Sequence, residues 1–390
     1  MGYLNAESAA ENRARYFKDF ARLVCRGSSP LYERLARGVA GDEKLLELAS
    51  HLRPDQPPNL FFSAVHFLLL KGARHPLANF YESVGGTASA EDADPLPAFR
   101  DFCRERRETL IGLISTRIVQ TNEIGRYACL VPAFGIVSRM AAGRPLATVE
   151  VGASAGLGLL WDKYGYDYGA GGRCGDDDSP VQNFCESRGP LPPPVPRTLP
   201  PVASRVGLDL NPLDVRDREA ALWLHALVFP EHRGRAERLS RALELARRDP
   251  PRVLAGDAAE LLASALHEVP EGAPVCVFNS FTLTQLPDAA RGLLLRTLAE
   301  FGSRRELYHV SLEWFGGEHP LLELSLYDGR ARARKLTLAS CDAHGGWLHW
   351  LDPSQAAPRA GRARAHVRAA DGSRPFSTPS KADFTASPET

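Results

Sequence analysis

Thr148-Val-Glu-Val-Gly-Ala-Ser-Ala-Gly-Leu157 is the stretch that decides the fold of this 390-residue chain. Its apolar and β-branched start reads as a buried strand, and the strand ends in an acid before a turn of small residues that opens a helix over Ala155 to Tyr164. Such a turn lets a ligand come close to the backbone, because Gly152, Ser154 and Gly156 carry little bulk and a helix start offers unpaired N–H groups. Glu150, Gly152, Ser154 and Gly156 are therefore the first candidate binding residues. The bland alternative is that Glu150 caps the turn and the glycines only permit a tight crossing.

Moving outward, the pattern changes at Gly143-Arg144-Pro145 to short apolar runs alternating with helical periodicity, the mark of βαβ units and a parallel sheet. The strands are expected at Leu146 to Val151, Arg205 to Leu210, Arg252 to Ala255, Pro274 to Asn279 and Glu306 to Glu313. Further helices are expected at Arg218 to Arg248, Ala258 to His267 and Pro287 to Phe301. The alternation Leu322, Leu324, Leu326, then Asp328-Gly329, then Leu336 and Leu338, predicts an antiparallel hairpin with a tight turn. The fold class is thus α/β: a doubly wound, mostly parallel sheet ending in an antiparallel hairpin over 143–351, preceded by a helical N-terminal domain over 1–142.

In that first domain Tyr16, Phe17, Phe20, Leu23 and Val24 share a face, Leu31, Leu35 and Val39 follow the breaker Ser28-Ser29-Pro30, and Asn59 to Ala73 is apolar nearly all round. Phe99 to Met140 reads as more helix, interrupted near Pro132. Residues 165–204 hold six Gly and eight Pro and predict an irregular surface insert, begun by a strand at Tyr164, Tyr166 and Tyr168 whose rings pack in the core. Residues 352–390 have almost no large apolar side chains, so a disordered tail is expected.

Composition narrows the function. At 44% hydrophobic and 24% charged, with 47 Lys plus Arg against 47 Asp plus Glu, the chain has the means for a large core and no overall field for nucleic acid or an anionic bilayer. The arginines between 359 and 374 make the tail locally basic, and a solvated tail is the simpler account of them. The longest apolar run, Leu60 to Leu70, is too short for about 30 Å of hydrocarbon, and the start lacks a signal-like pattern, so a cytoplasmic location without membrane partner is expected. Seven cysteines without a CxxC pair point to reduced thiols. Asp176-Asp-Asp178 does not converge, Cys174 and Cys185 lack a nearby His, and no metal is expected.

Later strand ends add candidates at the same sheet edge, where open α/β sheets bind ligands. Asp209, in Val206-Gly-Leu-Asp-Leu-Asn-Pro212, is placed to accept two ribose hydroxyls, though it also fits a turn-former. Asp257 follows the third strand, where it could equally cap the helix from Ala258. The fourth strand delivers Asn279 and Ser280. A dinucleotide fingerprint would need a small residue at 157, where leucine stands. The order acid-x-Gly-x-Ser-x-Gly instead resembles the first motif of class I S-adenosylmethionine-dependent methyltransferases, so the expected fold is methyltransferase-like. That resemblance implies S-adenosylmethionine as cofactor, with Glu150 at its amino and carboxylate end, Asp209 at the ribose, Asp257 at the adenine amino group and Asn279 at the same crevice.

From about 11 to 351 the sequence also resembles a bacterial family known as domain of unknown function 2332. The matching motifs are Gln120-Thr-Asn-Glu123 with Arg126, Glu150 to Leu157, Asp162-Lys-Tyr164, Gly207-Leu-Asp-Leu-Asn-Pro212, and Val277-Phe-Asn-Ser-Phe281 before Gln285-Leu-Pro287. The family implies a helical region before a methyltransferase-like domain. With Gln120 to Arg126 read as helix, Asn122 and Arg126 share a face; a solvated face or an interhelical hydrogen-bond network is the reading the residues alone favour, and with the resemblance Asn122, Glu123 and Arg126 become substrate contacts on a helix lidding the pocket. The leading expectation is methyl transfer to a small, polar acceptor, with Asn279 and Glu123 as the catalytic candidates, of which Asn cannot remove a proton. Two alternatives stay open: a non-catalytic adenosine-ligand sensor or partner-binding module, and an NAD(P)-dependent oxidoreductase. Oligomeric state is not legible.

Overall fold

The computed structural model describes residues 2–327, 329 and 333–352. The chain forms two compact units, one from residues up to Ile124 together with Leu213–Pro250, the other from Gly125–Pro212 and the chain from Pro251. These limits differ from the change of pattern at 142/143. Residues 125–142 go with the sheet, while 213–250, expected as a crossover helix of the sheet, go with the helical unit.

The helical unit is built round the helix Asn59–Leu70, buried at nearly every position. Phe61 and Phe62 meet Phe17 edge-on at 6.3 and 5.9 Å, Tyr32 lies 5.0 Å from Phe62, and Phe99 lies 5.6 Å from Phe61. Ser29 caps the helix Pro30–Ala40 by accepting from the Tyr32 N–H, as the Ser28-Ser29-Pro30 breaker foretells. Glu231 reinforces that cap, accepting from Ser29 Oγ at 2.9 Å and Leu31 N at 3.1 Å. His66 is fully enclosed between the Ala226 carbonyl and Ser83 Oγ, and burial pushes it down to about 4, so it is a neutral core histidine.

Two helical expectations need correction here. The single helix over 218–248 is two, Arg218–Ala226 and Arg233–Arg248. Pro230 supplies no N–H and disfavours helix in the residue before it. The helix expected from Phe99 onward is broken at Arg106 into Leu96–Glu105 and Arg107–Thr116, and 117–123 is irregular. Side chains hold that segment open: Trp223 Nε1 donates to the Ile118 carbonyl at 3.0 Å, the Val119 N–H donates to Gln56 Oε1 at 2.9 Å, and Arg117 covers the Trp223 ring. Asn122 and Arg126 therefore do not share a helix face.

The second unit contains strands β1 (Leu146–Val151), β2 (Gly165–Asp167), β3 (Arg173–Gly175), β4 (Gln182–Phe184), β5 (Glu186–Arg188), β6 (Val202–Asp209), β7 (Val253–Ala255), β8 (Val275–Ser280), β9 (Leu307–Glu313), β10 (Leu321–Tyr327), β11 (Arg334–Cys341) and β12 (Trp347–Trp350). Nine of these form one mostly parallel sheet in the order β5-β12-β11-β10-β9-β8-β1-β6-β7. The run β7-β6-β1-β8-β9 is parallel throughout, and its chain order reverses between β1 and β8. That switch point opens the crevice where such sheets bind ligands.

The expected hairpin is present as β10 and β11, and the sheet continues past it through antiparallel β12 and parallel β5. Asp328 and 330–332 of its turn, and the tail from 353, lie outside the described residues. One face carries Ala147, Val149, Val151, Val206, Leu208, Val275, Val277 and Leu307 under the helices Ala258–His267 and Asp288–Gly302. The other face meets the helix Arg126–Met140, where Phe134 packs on Phe278 at 5.3 Å and on Trp161 at 4.6 Å.

Pro132 sits inside that helix rather than interrupting it. Proline cannot donate to the carbonyl four residues back, that of Ala128, and the Tyr168 hydroxyl takes the vacant acceptor at 2.7 Å. The insert is more ordered than its Gly and Pro content suggests. It builds a small sheet, β3-β2-β4, over fully buried Tyr164, Tyr166 and Tyr168, and lends β5 to the main sheet. The α-helix expected over Ala155 to Tyr164 is a seven-residue 3₁₀ stretch, Leu157–Lys163, tied off by hydrogen bonds from Tyr164 to the Leu157 carbonyl and from Tyr166 to that of Trp161.

Candidate functional site

The carboxyl ends of β1, β6 and β8 bring the buried polar residues Glu150, Asp209 and Asn279 to one edge of the sheet. Glu150, next to last in β1, is 2% exposed. Its Oε1 accepts from the Tyr127 hydroxyl at 2.9 Å, and its Oε2 has no hydrogen-bond partner among the described residues. Burial raises its carboxyl to about 8, the Tyr127 bond opposes that rise, and the charge of Asp209 adds to it. Burial therefore favours its neutral form at neutral pH. A polar atom orphaned at such depth costs about 1–3 kcal/mol and calls for an explanation.

Gly158 makes the arrangement possible, since a Cβ there would stand 2.0 Å from the Tyr127 hydroxyl and 2.3 Å from Glu150 Oε1. On the same face Ser280, at the end of β8, also has a buried Oγ with no partner. Backbone strain lies beside both. Ser154 and Phe281 are non-glycine residues at φ 54, on the loops that leave β1 and β8. For a ring-bearing residue this is a genuine outlier, costing about 1–3 kcal/mol, and such strain concentrates at binding sites. Arg126 lies 4.2 Å over the Phe281 ring and donates to the Ala343 carbonyl at 2.8 Å.

Asp209, at the end of β6, takes the Ser154 N–H at 2.7 Å and the Asn211 N–H at 2.8 Å. It thus clasps the 152–156 loop to its own turn, close enough to Glu150 for the two charges to interact. Gly152 and Gly156 have φ of +79 and +73 as such a bend demands, but their open sides are filled by the protein itself. A Cβ on Gly152 would meet Thr282 Oγ1 at 2.2 Å, and one on Gly156 would meet Pro251 at 2.6 Å. The bulk-free bend expected from the sequence is packed by Thr282, Pro251 and Val253, and the short 3₁₀ stretch after it gives an anion no helix start.

Asn279 points to the opposite face. Its Nδ2 donates to Ser311 Oγ at 3.0 Å and Glu313 Oε1 at 2.7 Å, and its Oδ1 lies 2.6 Å from His309 Nε2. Burial, with Lys335 nearby, pushes His309 down to about 4, so the neutral ring donates. Glu313 also accepts from the N–H groups of Thr282, Leu283 and Thr284 and from Thr284 Oγ1, at 2.7 to 3.1 Å. Asn279 is thus saturated within a network that pins the 282–284 loop. Asp257 is a helix cap, accepting from Ala259 N at 2.8 Å.

The remaining sequence candidates fall in different units: Asn122 and Glu123 in the helical one, Arg126 in the sheet one. Glu123, 7% exposed, is paired with Arg235 of its own unit at 2.6 Å. Tyr127, Gly158 and Glu313 were not singled out by the sequence. Tyr127 stands beside the motif residue Arg126 and Gly158 one residue past the quoted stretch, but only the fold links them to Glu150.

Two features elsewhere are less apt. A groove of about 680 Å³ lies at the amino edge of the sheet, where Arg144 is bound to Glu306 and the Gly272 carbonyl, and Arg305 to the carbonyls of Pro270 and Ala273. In the helical unit His75, Asp101 and Glu105 converge closely enough for a cation. The Leu77 N–H donates to His75 Nδ1, which leaves the ring proton of the neutral imidazole on Nε2, so Nε2, 3.4 Å from Asp101 Oδ2 but without a hydrogen bond to it, has no lone pair for a metal.

These features define an α/β protein with a buried acid at the topological switch of a mostly parallel sheet. Residues 14–350 match the bacterial family described as "Uncharacterized protein conserved in bacteria (DUF2332)", and the chain belongs to that family. No curated protein and no solved structure matches the sequence. No helix among the described residues is long and apolar enough to cross a membrane.

Proposed function

We propose that the sheet unit is a methyltransferase-like domain that binds S-adenosylmethionine at the carboxyl ends of β1 and β6, and that the protein transfers its methyl group to a small, polar acceptor. The observation that carries this reading is Glu150 Oε2, a buried and unpartnered acceptor on the strand that opens the switch point. A ligand ammonium group is what such a carboxylate accommodates best, because it satisfies the orphaned oxygen and compensates the charge that burial suppresses. The 3-2-1-4-5 order of the parallel strands, with Asp209 ending the strand beside β1, agrees with an adenosine ligand lying across the edge.

The fit is partial. Glu150 has free acceptor capacity, whereas Asp209 is bonded to the two loops it joins and Asp257 and Asn279 are engaged in capping and in the loop network. When bound, the cofactor supplies an electrophilic methyl group. The chain's own part is to orient: Tyr127 fixes the Glu150 rotamer, Asp209 holds the 152–156 loop, and the Arg126–Phe281 stack stands at the β8 end. A transfer of this kind rests on positioning and needs a base only for a protonated acceptor.

A second reading, an adenosine-ligand sensor without turnover, is favoured by one observation: both residues considered for catalysis, Asn279 and Glu123, are occupied within their own units. The NAD(P) reading is the weaker one, because Leu157 is buried at the start of a 3₁₀ stretch.

Thermal unfolding with S-adenosylmethionine, S-adenosylhomocysteine and NAD separates these readings. At about 100 times Kd the favoured ligand adds about 2.7 kcal/mol, a rise of roughly 3 °C if the chain unfolds as one and about 7 °C if the sheet unit unfolds by itself. The rise should come with the adenosyl sulfur compounds and disappear in Glu150→Ala. A Glu150-dependent rise with NAD and none with S-adenosylhomocysteine would overturn the cofactor assignment.

A further inference from the structure

Two orphaned polar groups stand on neighbouring strands at one edge of the sheet unit, and the proposed site has so far used only one of them. Glu150 on β1 is in register with Phe278 on β8. Phe278 packs on the helix Arg126–Met140, the helix that also brings Tyr127 to Glu150, so both side chains share a face. Ser280 follows two residues later in β8 and returns to that face by strand alternation. One strand spacing sideways and two residues along put the backbones of Glu150 and Ser280 roughly 8 Å apart. Glu150 Oε2 is a buried acceptor without a donor, and Ser280 Oγ is a buried hydroxyl without a hydrogen-bond partner among the described residues.

Most donors on the two loops beside this pair are committed. The Phe281 N–H donates to the Leu312 carbonyl at 2.9 Å, and the N–H groups of Thr282, Leu283 and Thr284 donate to Glu313 at 2.7 to 3.1 Å. The Thr282 and Thr284 hydroxyls donate to the Ser280 carbonyl and to Glu313. On the loop that leaves β1, the N–H groups of Gly152 and Ala153 donate to the Leu208 carbonyl, that of Ser154 to Asp209 and that of Gly156 to the Ala153 carbonyl. With these groups turned inward, the two bends do not offer an anion the cradle of backbone donors that a bend of small residues can form. A negative group of the ligand must then meet a side chain, and the Ser280 hydroxyl is the donor at hand. The Arg126 guanidinium, 4.2 Å over the ring of the next residue, Phe281, adds positive charge beside it.

We infer that Ser280 determines specificity for the amino-acid end of the ligand: its hydroxyl donates to the ligand carboxylate while Glu150 holds the ammonium group, so the site selects an adenosyl ligand whose α-amino acid is intact. The inference rests on the S-adenosylmethionine reading and adds to it a contact and a ligand class that the reading by itself does not require. A zwitterion suits the pair because each orphan costs stability alone, and one α-amino acid supplies a donor to the first and an acceptor to the second. A neutral hydroxyl suits the place, since it brings no further charge beside Glu150 and Asp209, and its bond to a carboxylate is stronger than one between neutral groups. A ligand that lacks the carboxylate leaves the hydroxyl orphaned, and this is the source of the discrimination.

The test is a calorimetric titration of the full chain with S-adenosylhomocysteine and with its decarboxylated analogue, S-adenosyl-3-thiopropylamine, which keeps the ammonium group. Wild type should bind the parent compound about tenfold more tightly than the analogue, or better. Ser280→Ala should weaken the parent about tenfold and leave the analogue within about twofold, which removes the preference. Glu150→Ala should weaken both ligands. A merely damaged site cannot imitate the Ser280→Ala result, because it weakens both ligands together and preserves their ratio. Equal binding of the two ligands by wild type, or an unchanged ratio in Ser280→Ala, would overturn the inference and leave the cofactor reading standing. Binding of neither ligand by wild type would overturn both.

Discussion

The two faces of the sheet's carboxyl edge carry equally buried polar clusters that differ in one respect. On one face Asn279, His309, Ser311 and Glu313 satisfy one another and the 282–284 loop, and Glu313 alone accepts five hydrogen bonds. On the other, Glu150 has a single donor, Tyr127, and keeps an unpartnered oxygen. A saturated buried network stabilises a loop and leaves nothing for a ligand, whereas an unsaturated one costs stability and offers an acceptor. The comparison gives the Asn279 face a structural part and is the reason the proposed site is put on the Glu150 face.

The largest effect should follow from breaking the saturated side. Glu313→Ala strands three backbone N–H groups and the Asn279 amide, and should cost about 3–5 kcal/mol in chemical denaturation. Survival of Glu313→Ala within about 1 kcal/mol of wild type would mean the network is not structural. Gly158→Ala comes next. Its methyl group cannot coexist with the Tyr127–Glu150 bond, so a loss of about 1–3 kcal/mol is expected together with a weakened response to S-adenosylhomocysteine. Tyr127→Phe removes only the hydroxyl that donates to Glu150 and should cost about 0.5–1.5 kcal/mol, with the Glu150 carboxyl moving further up because that bond is what lowers it.

The pH dependence sharpens the contrast further. Glu150 has its carboxyl raised from 4.5 to about 8 by burial, so the folded chain holds a proton that the unfolded chain gives up. That contribution to stability is complete below about 4.5 and is lost as pH rises toward and through about 8. Urea titrations across this window should show wild type losing stability relative to Glu150→Gln, which holds no such proton. Parallel pH profiles for the two proteins would place the Glu150 carboxyl in its ordinary range.

The centre of the sheet was legible because β1, β8 and β9 are buried on both faces and read as apolar runs bounded by breakers. β1 falls at Leu146–Val151 as the sequence predicts, and the helix Ala258–His267 matches to the residue. The misreadings share a cause, tertiary partners that periodicity cannot see. Pro132 stays helical because Tyr168, 36 positions away in sequence, caps the freed carbonyl, and 117–123 leaves the helix because Gln56 and Trp223 bond its backbone. Glu150, Asp209 and the 152–156 loop lie together at the strand ends, where residue type and strand position put them. The sequence could not reveal that Thr282 fills the space beside Gly152, or that Asn279 faces away. Side-chain direction at a strand end follows from register, and register is set by the neighbours.

Proton release on ligand binding tests the central claim most directly, because it reads the Glu150 oxygen itself. Calorimetric titration with S-adenosylhomocysteine at pH 7, in buffers of different ionisation enthalpy, should show close to one proton released per ligand by wild type, as the buried acid ionises against the ligand ammonium group, and none by Glu150→Gln. Binding with no proton released, or with the same release in Glu150→Gln, would contradict the account.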